Sequence, residues 1–322
     1  MAEGKYIPLD LLAEARSCLT DTPVIHSPLI PLNVEIPNKK IYLKCENLQP
    51  FRSFKARGAC FAISKLETEK REAGICAASA GNFAQSLGYM AKQFNMPCEI
   101  LAPDHIPETK LSKTLELGAK VSKVPVSDWW NALQTRGYST MGNASFIHPC
   151  DINVMAGHGT IGMEIMEDLP KVDTVICPYG SGGLIIGVAS AVKQVNPNVR
   201  VLACEPENAA PLKASLTAGK LVEFTEYRTS FVDGMGSKSV LPEAWPYVSQ
   251  IVEGSVVVTL REVADSIRLL IDKHSLVTEG AGAGALAAAF SNEVPNGTIV
   301  CVLSGGNIDK DKLLTIFDGQ VP

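Results

Sequence analysis

The sequence predicts an α/β protein built on parallel sheets, and three observations predict it. Short, continuously apolar runs alternate with longer amphipathic stretches along the chain. The runs are apolar at odd and even positions alike, as strands are when both sheet faces are covered. Helix stops fall where such alternation needs them, at Asn95-Met96-Pro97, Leu117-Gly118 and Val195-Asn196-Pro197. This pattern argues for strands joined by right-handed crossovers.

In chain order, the expected strands are 41–45, 74–78, 97–101, 120–124, 172–177, 199–204 and 298–303. The expected helices are 53–66, 82–95, 106–117, 128–140, 154–168, 183–195, 260–272 and 280–290. No repeat, low-complexity tract or long linker interrupts them. Domain boundaries are faint, with weak breaks near 72–74 and 148–149. Only a short tail follows Ile316, so no C-terminal regulatory domain is expected.

Composition narrows the function. The 322 residues are 46% hydrophobic and 20% charged with a net charge of −5, a globular balance with no basic stripe for nucleic acid. No uncharged apolar run reaches the roughly 18–20 residues of a membrane helix, and the first residues lack a signal-peptide core. A cytoplasmic protein without a membrane partner is expected. The nine cysteines form no CxxC pair, and several, such as Cys76, Cys177, Cys204 and Cys301, lie inside apolar runs. They read as small buried hydrophobes in a reducing compartment. The five histidines never reach metal-ligand spacing, so no zinc site is expected.

Ligands of such folds sit at the carboxyl ends of strands, and four motifs fall at or near such junctions. The first is Ser53-Phe54-Lys55-Ala56-Arg57-Gly58-Ala59. A lysine is usually a solvated surface charge. Here Phe54 and small residues flank it at the opening of an apolar helix. Burial disfavours the ammonium form and lowers the pKa, which suits a Schiff base with an aldehyde cofactor. The second is Ser79-Ala80-Gly81-Asn82, a strand-to-helix turn with accessible N–H groups for a carboxylate or phosphate. A ligand-free N-cap turn explains it equally well. The third is Gly180-Ser181-Gly182-Gly183-Leu184, where glycines leave room for an anion at a helix N-terminus. It is neither Walker A nor GxGxxG, and a plain flexible turn is the alternative. The fourth is Ser304-Gly305-Gly306-Asn307. A neutral hydroxyl at Ser304 would leave a pyridine nitrogen unprotonated; a simple turn is the other reading.

In this order the motifs resemble those of the fold-type II pyridoxal-phosphate enzymes, in the branch of threonine/serine dehydratase and serine racemase. The resemblance covers nearly the whole chain. It includes Thr22-Pro23-Val24, Glu46-Asn47-Leu48-Gln49, Ala156-Gly157-His158-Gly159-Thr160, Glu205-Pro206, Asp233-Gly234 and Glu279. It implies two open, twisted, mostly parallel sheets flanked by helices. A large cofactor domain would span 1–73 and 151–322, and a small mobile domain 74–150. It also implies a homodimer, a small amino-acid substrate and bound pyridoxal 5′-phosphate.

By resemblance, Lys55 forms the Schiff base and later moves the Cα proton. Phe54 and Asn82 contact the pyridine ring and its hydroxyl. Gly180, Ser181, Gly182, Gly183 and Leu184 hold the phosphate, and Ser304 faces the ring nitrogen. Gly234 and Glu279 also lie at the cofactor, and Ser79, Ala80, Gly81 and Asn82 bind the substrate carboxylate. The implied reaction is loss of the β-hydroxyl from a small L-β-hydroxy-amino acid, ending in a 2-keto acid and ammonia.

Departures from the family pattern sharpen the expectation. Racemases carry serine where Ala80 stands, and alanine cannot pass a proton on the second face of Cα, so elimination is favoured over racemisation. Phe83 stands where the family often has His or Ala, and either shapes the pocket or packs. The usual Thr-Gly ahead of Ser-Phe-Lys is Phe51-Arg52. Arg52 could read an acidic substrate, though a surface charge is the stronger reading. Pro211 replaces a carboxylate of the racemase branch's divalent-cation site at Glu205, which leaves a metal in doubt. Trp129-Trp130 reads as packing or a subunit contact, and His158 as structural or as lining the interface. The rival readings are a racemase, a dehydratase for another β-hydroxy acid such as 3-hydroxyaspartate or phenylserine, and a non-catalytic binding protein.

Overall fold

The computed structural model describes residues 4–106, 108–138 and 142–322. In chain order its elements are α1 (Leu9–Leu19), β1 (Leu29–Pro31), β2 (Lys39–Lys44), α2 (Lys55–Ser64), α3 (Thr68–Ala73), β3 (Ile75–Ala78), α4 (Asn82–Gln93) and β4 (Cys98–Pro103). There follow α5 (Glu108–Glu116), β5 (Lys120–Val124), α6 (Val126–Thr135), β6 (Ser145–Phe146), α7 (Ile152–Asp168), β7 (Thr174–Pro178), α8 (Gly183–Val195) and β8 (Arg200–Pro206). The chain ends with α9 (Pro211–Ala218), α10 (Trp245–Ile251), β9 (Gly254–Val258), α11 (Leu260–His274), α12 (Gly280–Ala289), β10 (Gly297–Val302) and α13 (Lys310–Phe317).

Two sheets result. A six-stranded sheet has the order β1-β2-β10-β7-β8-β9, with β1 antiparallel at its edge and the rest parallel. A four-stranded parallel sheet has the order β5-β4-β3-β6. The large sheet is covered on both faces, which is why its strands read as unbroken apolar runs. Along β10, Ile299 and Cys301 pack with α11 and α12, while Val300 and Val302 pack with α7 and α8. A third apolar cluster joins β3 and β4 to α2 and α4.

Every expected strand and helix is present, 120–124 and 183–195 with the expected bounds and the others with shifted ends, but several elements were not anticipated. Strands β1 and β6 have only three and two residues, too few to show a period. Strand β9 and helices α1, α3, α9, α10 and α13 were also missed. The expected helix 128–140 runs instead over Val126–Thr135 and stops where Arg136 turns left-handed at φ 56°; residues 139 and 140 lie outside the described residues. So does Pro107 of the expected helix 106–117.

Charge is buried at the centre of this packing. Arg57, in α2, donates from Nε and Nη2 to Glu46 at 2.8 Å each and from Nη1 and Nη2 to Glu164 of α7 at 2.7 and 2.9 Å. A further Nη2 bond of 3.0 Å reaches the Ile25 carbonyl. Lys44 Nζ lies 2.7 Å from Glu164 Oε2 and donates to the Ser27 carbonyl at 2.7 Å. All four charged side chains are buried. Burial works against the Arg57 charge, but the carboxylates of Glu46 and Glu164 overcome it and hold the guanidinium above its usual range. Burial likewise opposes the Glu164 charge, and Arg57 and Lys44 keep its carboxyl low.

The segment leading to Lys55 is strained. Phe51 and Arg52 both adopt left-handed backbone, with φ 59° and 54°. Side chains disfavour that region by about 1–3 kcal/mol. Tertiary bonds hold it: Asn307 Nδ2 donates to the Phe51 carbonyl at 2.6 Å, and the Gly306 N–H to the Arg52 carbonyl at 2.8 Å. The Phe51 ring also packs on Tyr89 of α4, centroids 4.1 Å apart. Arg52 itself is exposed, in keeping with a surface charge.

Eight cysteines are buried and Cys18 is half-buried, all as free thiols. Desolvation pushes Cys45, Cys60 and Cys98 up to about 12 and Cys76 to about 11.

Arg57→Leu should leave two buried carboxylates short of counter-charge and cost about 3–5 kcal/mol in denaturant melts; a loss under about 1 kcal/mol would show the network is not structural. Arg52→Gly should relieve the left-handed strain and stabilise by roughly 0.5–1 kcal/mol. A destabilised Arg52→Gly would show that the conformation carries no strain.

Candidate active site

Three loops at the carboxyl ends of parallel strands meet at one place. The turn after β3 carries Ser79–Asn82, the loop after β7 carries Gly180–Gly183, and the loop after β10 carries Ser304–Asn307. Between them lies a cavity of about 320 Å³ lined by Phe54, Lys55, Ser79, Ala80, Gly81, Asn82, Gly180, Ser181, Gly234, Glu279 and Ser304 among others. A wider depression of about 800 Å³ runs along the β1–β2 hairpin, but the chemistry-bearing motifs lie elsewhere. Gly182, Gly183 and Leu184 are buried behind the rim, where they open α8.

Lys55 is the first residue of α2, and its Nζ lies 4.4 Å from the Phe54 ring centre and 5.9 Å from that of Phe83. Phe83 therefore shapes the pocket. Desolvation lowers the Lys55 pKa from 10.5 to about 8, against the opposing pull of Glu279 and Cys150. A large share of the amine is then neutral, and so nucleophilic, near physiological pH. Phe54 is fixed from both sides. Its N–H donates to the Ser304 carbonyl at 3.1 Å, and its ring meets His158 edge-on with centroids 4.7 Å apart.

The opposite wall is a hydrogen-bonded chain. Asn82 Nδ2 donates to Glu279 Oε1 at 2.7 Å, and Asn307 Nδ2 donates to Asn82 Oδ1 at 3.0 Å. Desolvation raises the Glu279 pKa to about 7, although the Asn82 bond favours its charge. Glycine at position 305 leaves room for this carboxylate, because a Cβ there would displace Glu279 Oε1.

The loop after β7 is built on glycines packed close to their neighbours. Gly182 has φ 96°, a conformation glycine adopts freely, and a Cβ there would come within 2.9 Å of Ala244. The loop leads into the N-terminus of α8, whose first N–H groups have no intrahelical acceptor. The Cys150 thiol donates to the Ser181 carbonyl at 3.2 Å, pinning the rim. Beneath the loop, the Tyr179 hydroxyl is buried with no partner, and the His158 ring is buried beside the Gly183 backbone. Burial raises the Tyr179 pKa and lowers that of His158 far enough to keep both neutral.

The sequence reading missed part of the wall. Trp129, Trp130 and Leu133 of α6 line the cavity, so the tryptophans are not confined to packing or a subunit contact. Lys110 of α5 bridges the mouth to Asp233 at 2.6 Å. The doubled tryptophan was visible, but not the face it presents.

Glu205 has another use than a cation. Its oxygens accept from the Leu212 and Lys213 N–H groups at 2.7 and 2.8 Å and from Ser255 Oγ at 2.6 Å, capping α9 from outside. Among the described residues no group of three His, Cys, Asp or Glu is placed to hold a metal.

Pyridoxal phosphate suits these residues. The Gly180–Leu184 loop and helix end could take its phosphate, Lys55 its aldehyde, and the buried Ser304 hydroxyl a neutral ring nitrogen.

Comparisons with known proteins agree. A family model described as pyridoxal-phosphate dependent enzyme matches residues 16–305. An L-threonine ammonia-lyase of Thermotoga maritima is 40% identical over 97% of this chain and 78% of its own length. Maize serine racemase superposes with a TM-score of 0.88 at 29% identity, covering 97% of each chain. Threonine deaminase isoform 2 of Solanum lycopersicum gives 0.85 at 30% identity, covering 98% of this chain and 95% of that one. A desolvated lysine, a glycine-rich loop opening a helix and a family match over nearly the whole chain lead to one conclusion: the chain belongs to the pyridoxal-phosphate dependent enzymes.

Proposed function

We propose that this chain is a pyridoxal-phosphate ammonia-lyase that converts a small L-β-hydroxy-amino acid of the threonine/serine type to a 2-keto acid and ammonia. The observation that carries the reading is the Lys55 amine, lowered to about 8, in one cavity with the Ser79–Asn82 turn and the glycine loop. The threonine ammonia-lyase relative supports it. One water leaves with the β-hydroxyl and one returns in hydrolysis, so atoms balance.

When bound, the cofactor supplies an electron sink that stabilises negative charge at Cα. The chain's residues supply the rest. Lys55 Nζ takes the Cα proton as general base. The Ser79–Asn82 turn binds the substrate carboxylate, the Gly180–Leu184 loop the phosphate, and Ser304 keeps the ring nitrogen unprotonated. Phe54, Asn82, Gly234 and Glu279 orient the ring. Residues 74–150 act as a small domain that closes over the rest and excludes water, and the Lys110–Asp233 pair across the mouth suits such closure.

Serine racemisation is the second reading, since serine racemases are among the similar structures. Ala80 speaks against it: a methyl group at the cavity wall cannot carry a proton. The same reading carries a homodimeric, cytoplasmic enzyme with no nucleic-acid or membrane partner. The net charge of −5 speaks against nucleic acid, and among the described residues no helix is long and apolar enough to cross a membrane.

Purified protein should show a visible cofactor band that shifts on adding L-threonine or L-serine, with keto acid released and no D-serine on chiral chromatography. Lys55→Ala should lose both band shift and keto acid; turnover that survives Lys55→Ala would remove the reading. Capture of pyridoxal phosphate by the apoprotein needs the neutral amine, so its rate should rise with pH and level off above about 8. A rise continuing to the ordinary lysine value of 10.5 would show that Lys55 is not desolvated.

A further inference from the structure

The cavity has two chemically different walls. Phe54, Lys55, Gly180, Ser181 and Ser304 come from segments tied to the six-stranded sheet and carry the cofactor functions. The facing wall comes from the four-stranded sheet and its helices. It holds the Ser79–Asn82 turn at the end of β3, and Trp129, Trp130 and Leu133 of α6, a helix packed against β3 and β4. The side chain of an amino acid whose carboxylate sits on that turn therefore has α6 within its reach.

That wall is far more apolar and aromatic than a β-methyl group needs. The two indoles are tilted at 43° with centroids 6.2 Å apart, and both remain partly exposed. Leu241 and Phe83 continue the apolar surface. An aromatic substituent gains both burial and tilted ring contacts against such a surface. A second carboxylate gains nothing comparable. Among the described residues the cations lining the cavity are Lys55 and Lys110, and Lys110 is already paired with Asp233 at 2.6 Å.

We propose that the preferred substrate is a β-hydroxy-α-amino acid with an aromatic group on its β-carbon, packed against Trp129, Trp130 and Leu133. This rests on the lyase reading above; the bonds broken and the water exchanged are the same.

The test gives the holoenzyme L-threonine, L-serine, L-threo-3-phenylserine and L-threo-3-hydroxyaspartate and measures keto acid. The expected kcat/KM for phenylserine exceeds that for threonine by about tenfold or more. Trp130→Ala should lower the phenylserine-to-threonine ratio by about tenfold. Leu133→Phe, which fills the wall rather than emptying it, should lower the same ratio. A readout free of turnover uses L-phenylalanine, which lacks a leaving group. Two of the three tryptophans sit in this wall, so L-phenylalanine should change tryptophan emission at concentrations where L-alanine does not. Turnover of threonine and serine with phenylserine no better than threonine overturns the substrate class and leaves the lyase reading standing. Preference for hydroxyaspartate overturns it in favour of charge recognition. Keto acid from none of the four removes the lyase reading itself.

Discussion

Arg57 carries a positive charge where no water reaches it, and the packing around α2 is arranged to make that tolerable. A lone guanidinium in an apolar interior would be prohibitive. Glu46 and Glu164 receive four of its N–H groups between them, and Ile25 supplies a carbonyl. The two carboxylates come from the segment after β2 and from α7, and the Ile25 carbonyl from the stretch between α1 and β1. The network thus ties α2 to all three, and Lys55 stands two residues away on the same helix. An ion network of this kind adds little net stability over an apolar core, but it permits few alternative arrangements. The reactive amine inherits that single arrangement.

The upper half of the site follows the same principle with neutral groups. Asn307, Asn82 and Glu279 form one hydrogen-bonded line from the β10 loop to α4 and the start of α12. The strained Phe51–Arg52 backbone is held by that β10 loop as well. Removing any member would loosen the cavity wall before it loosened the core. Beneath the glycine loop, Tyr179 keeps a buried hydroxyl unpartnered, an arrangement that persists only where surrounding packing enforces it.

Much of this was legible in the residues. Strands covered on both faces must be apolar throughout, so β2, β3, β4, β7, β8 and β10 announced themselves. Gly182 and Gly305 occupy places where a side chain is excluded, and glycine clusters at strand ends mark such places. What escaped was set by long-range geometry. Strands β1 and β6 exist because a neighbour offers an edge, not because of their own pattern. Lys110 and Asp233 are 123 positions apart. Whether Trp129 and Trp130 face a core, a partner or a cavity depends on how α6 sits on β3, which no local pattern encodes. Glu205 looked like part of an ion site by analogy; its actual partners are the backbone N–H groups of α9, invisible until the chain is folded.

The buried thiols have a chemical consequence for the enzyme's surroundings. With pKa values near 12, only about one thiol in a hundred thousand is ionised at neutral pH, and the ionised form is the one that reacts. The eight buried sulfhydryls therefore offer oxidants and electrophiles almost nothing to attack. Lys55 is the inverse case, an amine whose environment makes it more reactive than its peers. Aldehydes should favour that nitrogen over the ammonium groups of the chain's exposed lysines.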